Sequence, residues 1–132
     1  MSVYSGYVMA SPGIIWPGPG PNIGTSIVTV DGYPLNIMGI LGDARIDWGE
    51  YSPQSTVLAY SLLVAEIGQF RGAATAEAWA LAKAPAFMRQ VVSKFARPTH
   101  AGKTAEWTIT SEEILTWLKG YDLALYQRVI HR

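Results

Sequence analysis

Three acidic side chains within eight residues form the densest cluster of potentially reactive groups in the sequence. Asp43, Asp47 and Glu50 lie in the stretch GDARIDWGEY, and a strand over residues 44–48 would point Asp43 and Asp47 to the same face. Paired carboxylates bind hard cations such as Mg²⁺, so one function they indicate is that of a small metal-assisted enzyme. The spacing does not match a calcium-binding loop, and solvation of a strand and its following turn is the favoured interpretation. No metal or other cofactor is therefore predicted.

Nucleophilic catalysis finds little support in the sequence. The chain has no cysteine, which excludes disulfides, thiolate metal sites and cysteine nucleophiles. His100 falls in a polar turn and His131 lies one residue from the C-terminus, so surface positions are expected for both. There is no Gly-x-Ser-x-Gly nucleophile elbow and no phosphate-binding Gly-x-x-x-x-Gly-Lys-Ser/Thr loop. We predict no catalytic residue.

Two other segments carry groups suited to binding. A basic run without acidic residues spans 89–103 and could contact phosphates or an acidic partner, although it also fits a solvated helix face; its members are Arg89, Lys94, Arg97 and Lys103. The apolar residues Ile14, Ile15 and Trp16 lie beside prolines and glycines that favour exposure. They could fold back over the sheet as a cover or present an aromatic anchor to a protein partner.

The composition is typical of one folded domain, here residues 1–132. Hydrophobic residues make up 49% of the 132 and charged residues only 15%, which excludes general disorder. A surface with so few charges tends to contact something. The N-terminus lacks the features of a signal peptide, and the most apolar run, 57–67, is too short to span a bilayer. A cytoplasmic protein without membrane association is expected.

The first half of the chain has strand patterns. Residues 3–9 and 27–37 are rich in β-branched and aromatic residues, and Asp31-Gly32 offers the positive φ angles of a tight hairpin turn. Residues 44–48 are a further candidate strand. Between the first two, the Pro/Gly-rich stretch 11–24 predicts a loop.

The second half has helix patterns. Ser52 and Pro53 predict the start of a helix that ends at Gly68, and a second helix over 74–84 is expected to stop before Pro85. Residues 86–96 have helical spacing, but their Val-Val pair leaves a strand open. The tail 121–132 is a candidate helix.

The stretch ITSEEILTWLKG (109–120) contains both the start and the stop signals of a short helix. Thr110 and Glu113 form a capping box, Ile109 and Ile114 occupy the positions of a hydrophobic staple, and Gly120 lies where a left-handed C-cap belongs. We expect an α+β fold: an antiparallel sheet of three to five strands from the N-terminal half, with three to four helices from the C-terminal half packed on one face.

Several motifs together resemble an uncharacterised family of small bacterial proteins carried by phages, plasmids and other mobile elements. The motifs are Tyr4-x-Gly6, VTVDGYPL (28–35), Trp48-Gly49, Ser52-Pro53, Val91-Val92 and WTITSEEI (107–114). The resemblance spans roughly residues 4–118 and implies a domain of unknown function, with no active site to carry over.

The function expected from these observations is a non-enzymatic protein-binding module from a phage or other mobile element. Its partner would be a host or defence-system protein, and its action would be inhibition of an antiviral system. The mobile-element origin rests on the resemblance alone. The alternatives left open are a nucleic-acid-associated accessory protein that uses 89–103, a small metal-assisted enzyme, and pairing with a second copy as a homodimer.

Overall fold

The α+β architecture expected from the sequence is confirmed. A computed structural model describes residues 2–9, 25–95 and 106–131 of the chain. In order, its elements are β1 (Val3–Met9), β2 (Thr25–Val30), β3 (Tyr33–Pro34), α1 (Pro53–Ile67), α2 (Ala73–Gln90), a 3₁₀ turn (Val92–Lys94), β4 (Trp107–Thr110), α3 (Ser111–Tyr121) and α4 (Leu123–Ile130). None of these helices combines the length and apolar character needed to cross a membrane.

The four strands form one antiparallel sheet in the order β3-β2-β1-β4. The predicted hairpin between β2 and β3 is confirmed, with φ 52° at Asp31 and 85° at Gly32. The Asp31 carboxylate also accepts a 2.8 Å hydrogen bond from the Val3 backbone N–H, which ties the turn to β1. The fourth strand comes from residues 107–110, in the back half of the chain, and pairs with β1.

One face of the sheet is buried beneath the helices. Tyr4 and Gly6 point to this face, whereas Ser5 between them is only partly buried, as the alternation of a half-buried strand requires. The indole of Trp107 lies against Gly6, where any Cβ atom would overlap it. Trp107 also stacks on Phe95 with ring centroids 4.4 Å apart. Gly6 is therefore required by close packing rather than by a turn.

Helix α1 begins where the sequence predicts. The Ser52 hydroxyl accepts a 3.0 Å hydrogen bond from the Ser55 N–H, and Pro53 occupies the first turn. Most of this helix is buried, including Leu58, Leu62 and Leu63. It forms the centre of one hydrophobic core that receives side chains from both halves of the chain.

The predicted stop before Pro85 is wrong. Helix α2 continues through Pro85 to Gln90, and the 3₁₀ turn follows, so residues 86–90 are helical rather than strand. Proline removes one backbone hydrogen bond, but Ala84, Phe87 and Met88 around it are buried in the core. Packing on both sides of the proline outweighs that single loss.

The capping box of α3 is confirmed: the Glu113 N–H donates to the Thr110 hydroxyl, and the Glu113 carboxylate accepts from the Thr110 N–H, both at 3.2 Å. The predicted C-cap at Gly120 is wrong, because α3 continues to Tyr121 and Asp122 then caps α4. The helical tail is confirmed as α4. A 2.8 Å ion pair between Lys83 and Asp122 joins α2 to the α3–α4 junction.

Residues 44–48 do not form the strand predicted for them. The segment from Leu35 to Trp48 instead runs along α1 toward its N-terminus. The Met38 N–H donates to the Ser61 hydroxyl at 2.8 Å, and the Asp47 N–H donates to the Gln54 carbonyl at 3.3 Å. The Leu35 N–H still donates to the Val28 carbonyl of β2 at 2.9 Å, whereas Met38 and Asp47 bond to the helix. This course positions the site described next.

Candidate binding site

A tight two-residue turn lies next to the N-terminal end of α1. Ile40 and Asp43 exchange two backbone hydrogen bonds of 2.9 and 3.0 Å across Leu41 and Gly42. We call residues 40–43 the Leu41 turn. Leu41 has a φ of 52° and Gly42 a φ of 81°, and the Leu41 side chain is fully exposed to solvent.

The β2–β3 hairpin provides a direct comparison within the same chain. Its turn has nearly identical φ angles, but the position equivalent to Leu41 is Asp31. Aspartate tolerates the left-handed region because its short polar side chain bonds locally, whereas an ordinary residue loses about 1–2 kcal/mol there. Leu41 therefore costs stability through its backbone, and its exposed side chain returns no stabilisation by burial. Strain of this kind concentrates at functional sites.

A pocket of about 310 Å³ opens beside the turn. The turn contributes Ile40, Leu41 and Asp43, and the first turns of α1 contribute Pro53, Thr56 and Val57. An engineered cavity of about 150 Å³ accepts a benzene molecule, so this pocket has room for one bulky apolar side chain. We call these six residues the Leu41 pocket.

The walls of the pocket are held in place by the core. Val57 is only 1% exposed and continues into the buried face of α1. The Ser61 hydroxyl donates to the Val57 carbonyl at 2.9 Å while accepting from the Met38 N–H, so one buried serine fixes the helix to the segment that leads into the turn. The α1 side of the pocket is thus anchored in the core.

The polar edge of the pocket carries a fixed network. The Asp43 carboxylate accepts from the Arg45 guanidinium at 3.1 and 3.2 Å and from the Gln54 amide at 3.4 Å. The hydrogen bonds from the Arg45 side chain lower the pKa of Asp43, which stays ionised. Asp47 accepts from the Trp48 N–H at 2.8 Å.

The acidic cluster named from the sequence is only partly assembled. Asp43 lines the pocket. Within the described residues, no group of three acidic or histidine side chains is arranged to hold a metal ion, and this applies to Asp43, Asp47 and Glu50 as well. Glu50 lies three residues before α1 and is partly buried.

The other candidate residues fall elsewhere or outside the described ranges. Arg89 and Lys94 are exposed at the end of α2 and in the 3₁₀ turn, and His131 is exposed after α4. The remaining candidates lie outside the described residues: Ile14, Ile15, Trp16, Arg97, His100 and Lys103.

A second polar cluster lies inside the protein, at the far end of α1. Glu66 is 1% exposed; its Oε1 accepts from the Tyr4 hydroxyl at 3.1 Å and from the Gln69 amide at 3.3 Å. Burial and the adjacent carboxylate raise the pKa of Tyr4 far above its usual value. These bonds join β1 to α1, so we assign the cluster a structural role.

Sequence reasoning missed Leu41. The signal in the sequence was Gly42-Asp43 directly after Leu41, since glycine and aspartate are residues that two-residue turns favour. Leucine is not favoured in such a turn, so the segment was not identified as one. Comparison with protein-family models, curated proteins and solved structures gave no match.

Proposed function

We propose that the protein is a non-enzymatic binding module that contacts another protein through the Leu41 turn and the Leu41 pocket. The observation that carries this proposal is a fully exposed leucine in a left-handed turn, where the matching turn of the same chain has aspartate. Neither folding nor solubility explains such a residue. Contact with a partner does, because it would bury the side chain.

The shape of the surface favours a protein over a small molecule. Small-molecule sites are concave and bury most of the ligand. Here Leu41 projects into solvent beside an open pocket, which gives one protrusion and one depression side by side. A protein surface can contact both at once.

The charge of the surface disfavours nucleic acid at this site. Among the six residues of the Leu41 pocket, the one charged side chain is Asp43, which Arg45 pairs. Phosphate backbones are bound through lysine and arginine, and none of these six residues is basic. Of the four basic residues in the run 89–103, only Arg89 and Lys94 are described, and neither lines the Leu41 pocket.

The proposal extends to origin and target on the basis of the family resemblance. A mobile-element protein that binds without catalysis would act by occupying a surface of a host protein. Host antiviral defence proteins are the first class of partner to test.

The test is site-specific photocrosslinking in bacterial cells. A photoreactive amino acid is placed at Leu41 and, as a matched control, at Leu81, which is also exposed but lies on α2. We expect one protein to crosslink from position 41 and not from 81. The purified partner should then bind the Leu41→Asn variant at least tenfold more weakly than wild type. Equal crosslinking from both positions, or unchanged affinity of the variant, would refute the proposal.

A further inference from the structure

We infer that the Leu41 pocket accepts Leu41 of a second copy of this chain, while the pocket of the second copy accepts Leu41 of the first. The inference rests on the proposed function in one respect, since both assign the Leu41 turn and the Leu41 pocket to protein contact. It goes further by naming an occupant, and it predicts a weak symmetric dimer of the free protein.

The protrusion and the depression needed for such a contact lie side by side on one surface. Leu41 is fully exposed, and it is also one of the six residues that line the pocket. A two-fold axis that passes between a protrusion and an adjacent depression places each protrusion opposite the depression of the other copy. One chain therefore carries both halves of the contact.

The size and the lining of the pocket suit a leucine side chain. Leucine has fewer side-chain carbons than benzene, which a cavity of about 150 Å³ accepts, and this pocket measures about 310 Å³. Ile40, Pro53 and Val57 supply apolar walls. An aspartate or asparagine, which the turn would favour, would lose its hydrogen bonds to water against these walls. Insertion into the pocket thus explains a leucine where the β2–β3 hairpin has Asp31.

The charged group that lines the pocket does not oppose a symmetric contact. In a two-fold contact a surface faces its own copy, so an unpaired carboxylate would approach a second carboxylate. The chain itself occupies both oxygens of Asp43: Oδ1 accepts from the Arg45 backbone N–H and Nε, and Oδ2 accepts from the Arg45 guanidinium and the Gln54 amide. These four bonds fill the acceptor positions of a carboxylate. The occupant that fits beside it is an uncharged side chain.

The Leu41 turn holds the leucine in position before any contact. Two backbone hydrogen bonds between Ile40 and Asp43 close the turn, so little of its backbone has to become ordered on association. The contact is nevertheless small, because six residues line the pocket whereas a standard interface has about 20–30 residues a side. We therefore expect a weak dimer that forms at high protein concentration. Since it uses the same residues as the proposed complex with another protein, the dimer and that complex exclude each other.

The first experiment is sedimentation equilibrium of wild type, Leu41→Asn and Leu81→Asn. Leu81→Asn is the matched control, because it makes the same replacement at an exposed leucine on α2. We expect wild type and the control to change from monomer to dimer between about 10 µM and about 1 mM, and Leu41→Asn to associate at least about tenfold more weakly. A wild type that is still monomeric at about 1 mM, or equal association of Leu41→Asn, would overturn the inference.

The second experiment tests whether Leu41 enters the pocket of the other copy. The chain has no cysteine, so an introduced cysteine is the single reactive thiol. Chains with Leu41→Cys are mixed with chains with Thr56→Cys, a position that lines the pocket, and the mixture is oxidised with copper phenanthroline. A disulfide needs Cβ atoms about 3.5–4.5 Å apart, so a crosslink between positions 41 and 56 of different chains reports insertion.

The control for this crosslink is a mixture of Leu81→Cys and Thr56→Cys chains, because position 81 is exposed on α2, away from the pocket lining. We expect the 41–56 crosslink to form at least about ten times faster than the 81–56 crosslink. Equal rates of the two would overturn the inference.

The dimer and the proposed function fail separately. If photocrosslinking at position 41 captures another protein while wild type stays monomeric, the dimer is overturned and the proposed function stands. If the 41–56 crosslink forms but position 41 captures no protein other than a second copy, the dimer is supported and the proposed function is overturned.

Discussion

Replacing Leu41 by asparagine is expected to stabilise the protein while removing its proposed contact residue. Leu41 has a φ of 52°, where an ordinary residue loses about 1–2 kcal/mol and asparagine loses much less. The leucine side chain is fully exposed, so the replacement sacrifices almost no buried apolar area. The expected gain in the free energy of unfolding is about 1 kcal/mol, which for a chain of this length raises Tm by roughly 3–5 °C.

The assay is urea unfolding followed by tryptophan fluorescence, with calorimetry for Tm. Asp31→Asn is the control, because it occupies the same turn geometry and keeps an oxygen to accept from the Val3 N–H. Its expected change lies within about 0.5 kcal/mol of zero. A lower unfolding free energy for Leu41→Asn would refute the reasoning, since it would mean that the leucine side chain stabilises the fold. An unchanged value would mean that the turn relaxes without strain.

Three further changes test the packing. Gly6→Ala should destabilise the protein by about 1–3 kcal/mol in urea unfolding, because the added Cβ overlaps the Trp107 indole; a change below about 0.5 kcal/mol would contradict this close approach. Gly120→Ala should instead stabilise the protein by about 0.5–1 kcal/mol, because Gly120 lies in α3 with open space around it. A lower free energy of unfolding for this variant would mean that the helix ends before Gly120. Tyr4→Phe should abolish part of the alkaline destabilisation. Folding raises the pKa of Tyr4, so the folded state keeps a proton that the unfolded state loses above pH about 10. Above that pH, the free energy of unfolding of wild type should fall by up to about 1.4 kcal/mol per pH unit more than that of the variant. Parallel pH profiles of the two proteins would refute this.

Local signals in the sequence predicted local structure well. The start of α1 at Ser52-Pro53, the hairpin at Asp31-Gly32 and the capping box at Thr110 are all confirmed. Each depends on hydrogen bonds or φ angles within four residues, so the information is contained in a short stretch. The sequence could therefore specify these features without knowledge of the rest of the fold.

Errors arose where tertiary contacts override local preference. Pro85 does not end α2, because buried side chains hold the helix on both sides of it. Residues 44–48 alternate like a strand but bond to α1. Leu41 was not identified because it lies in a turn geometry that leucine disfavours. Propensity rules would not predict a leucine at that position.

The central position of β1 has a consequence for synthesis in the cell. One of the two neighbours of this strand, β4, leaves the ribosome about 100 residues later than β1. At typical translation rates of about 5–20 residues per second, the nascent β1 waits roughly 5–20 s with one edge unpaired. During that interval the nascent edge is open to intermolecular aggregation, and chaperones that shield emerging chains would improve the yield of native protein.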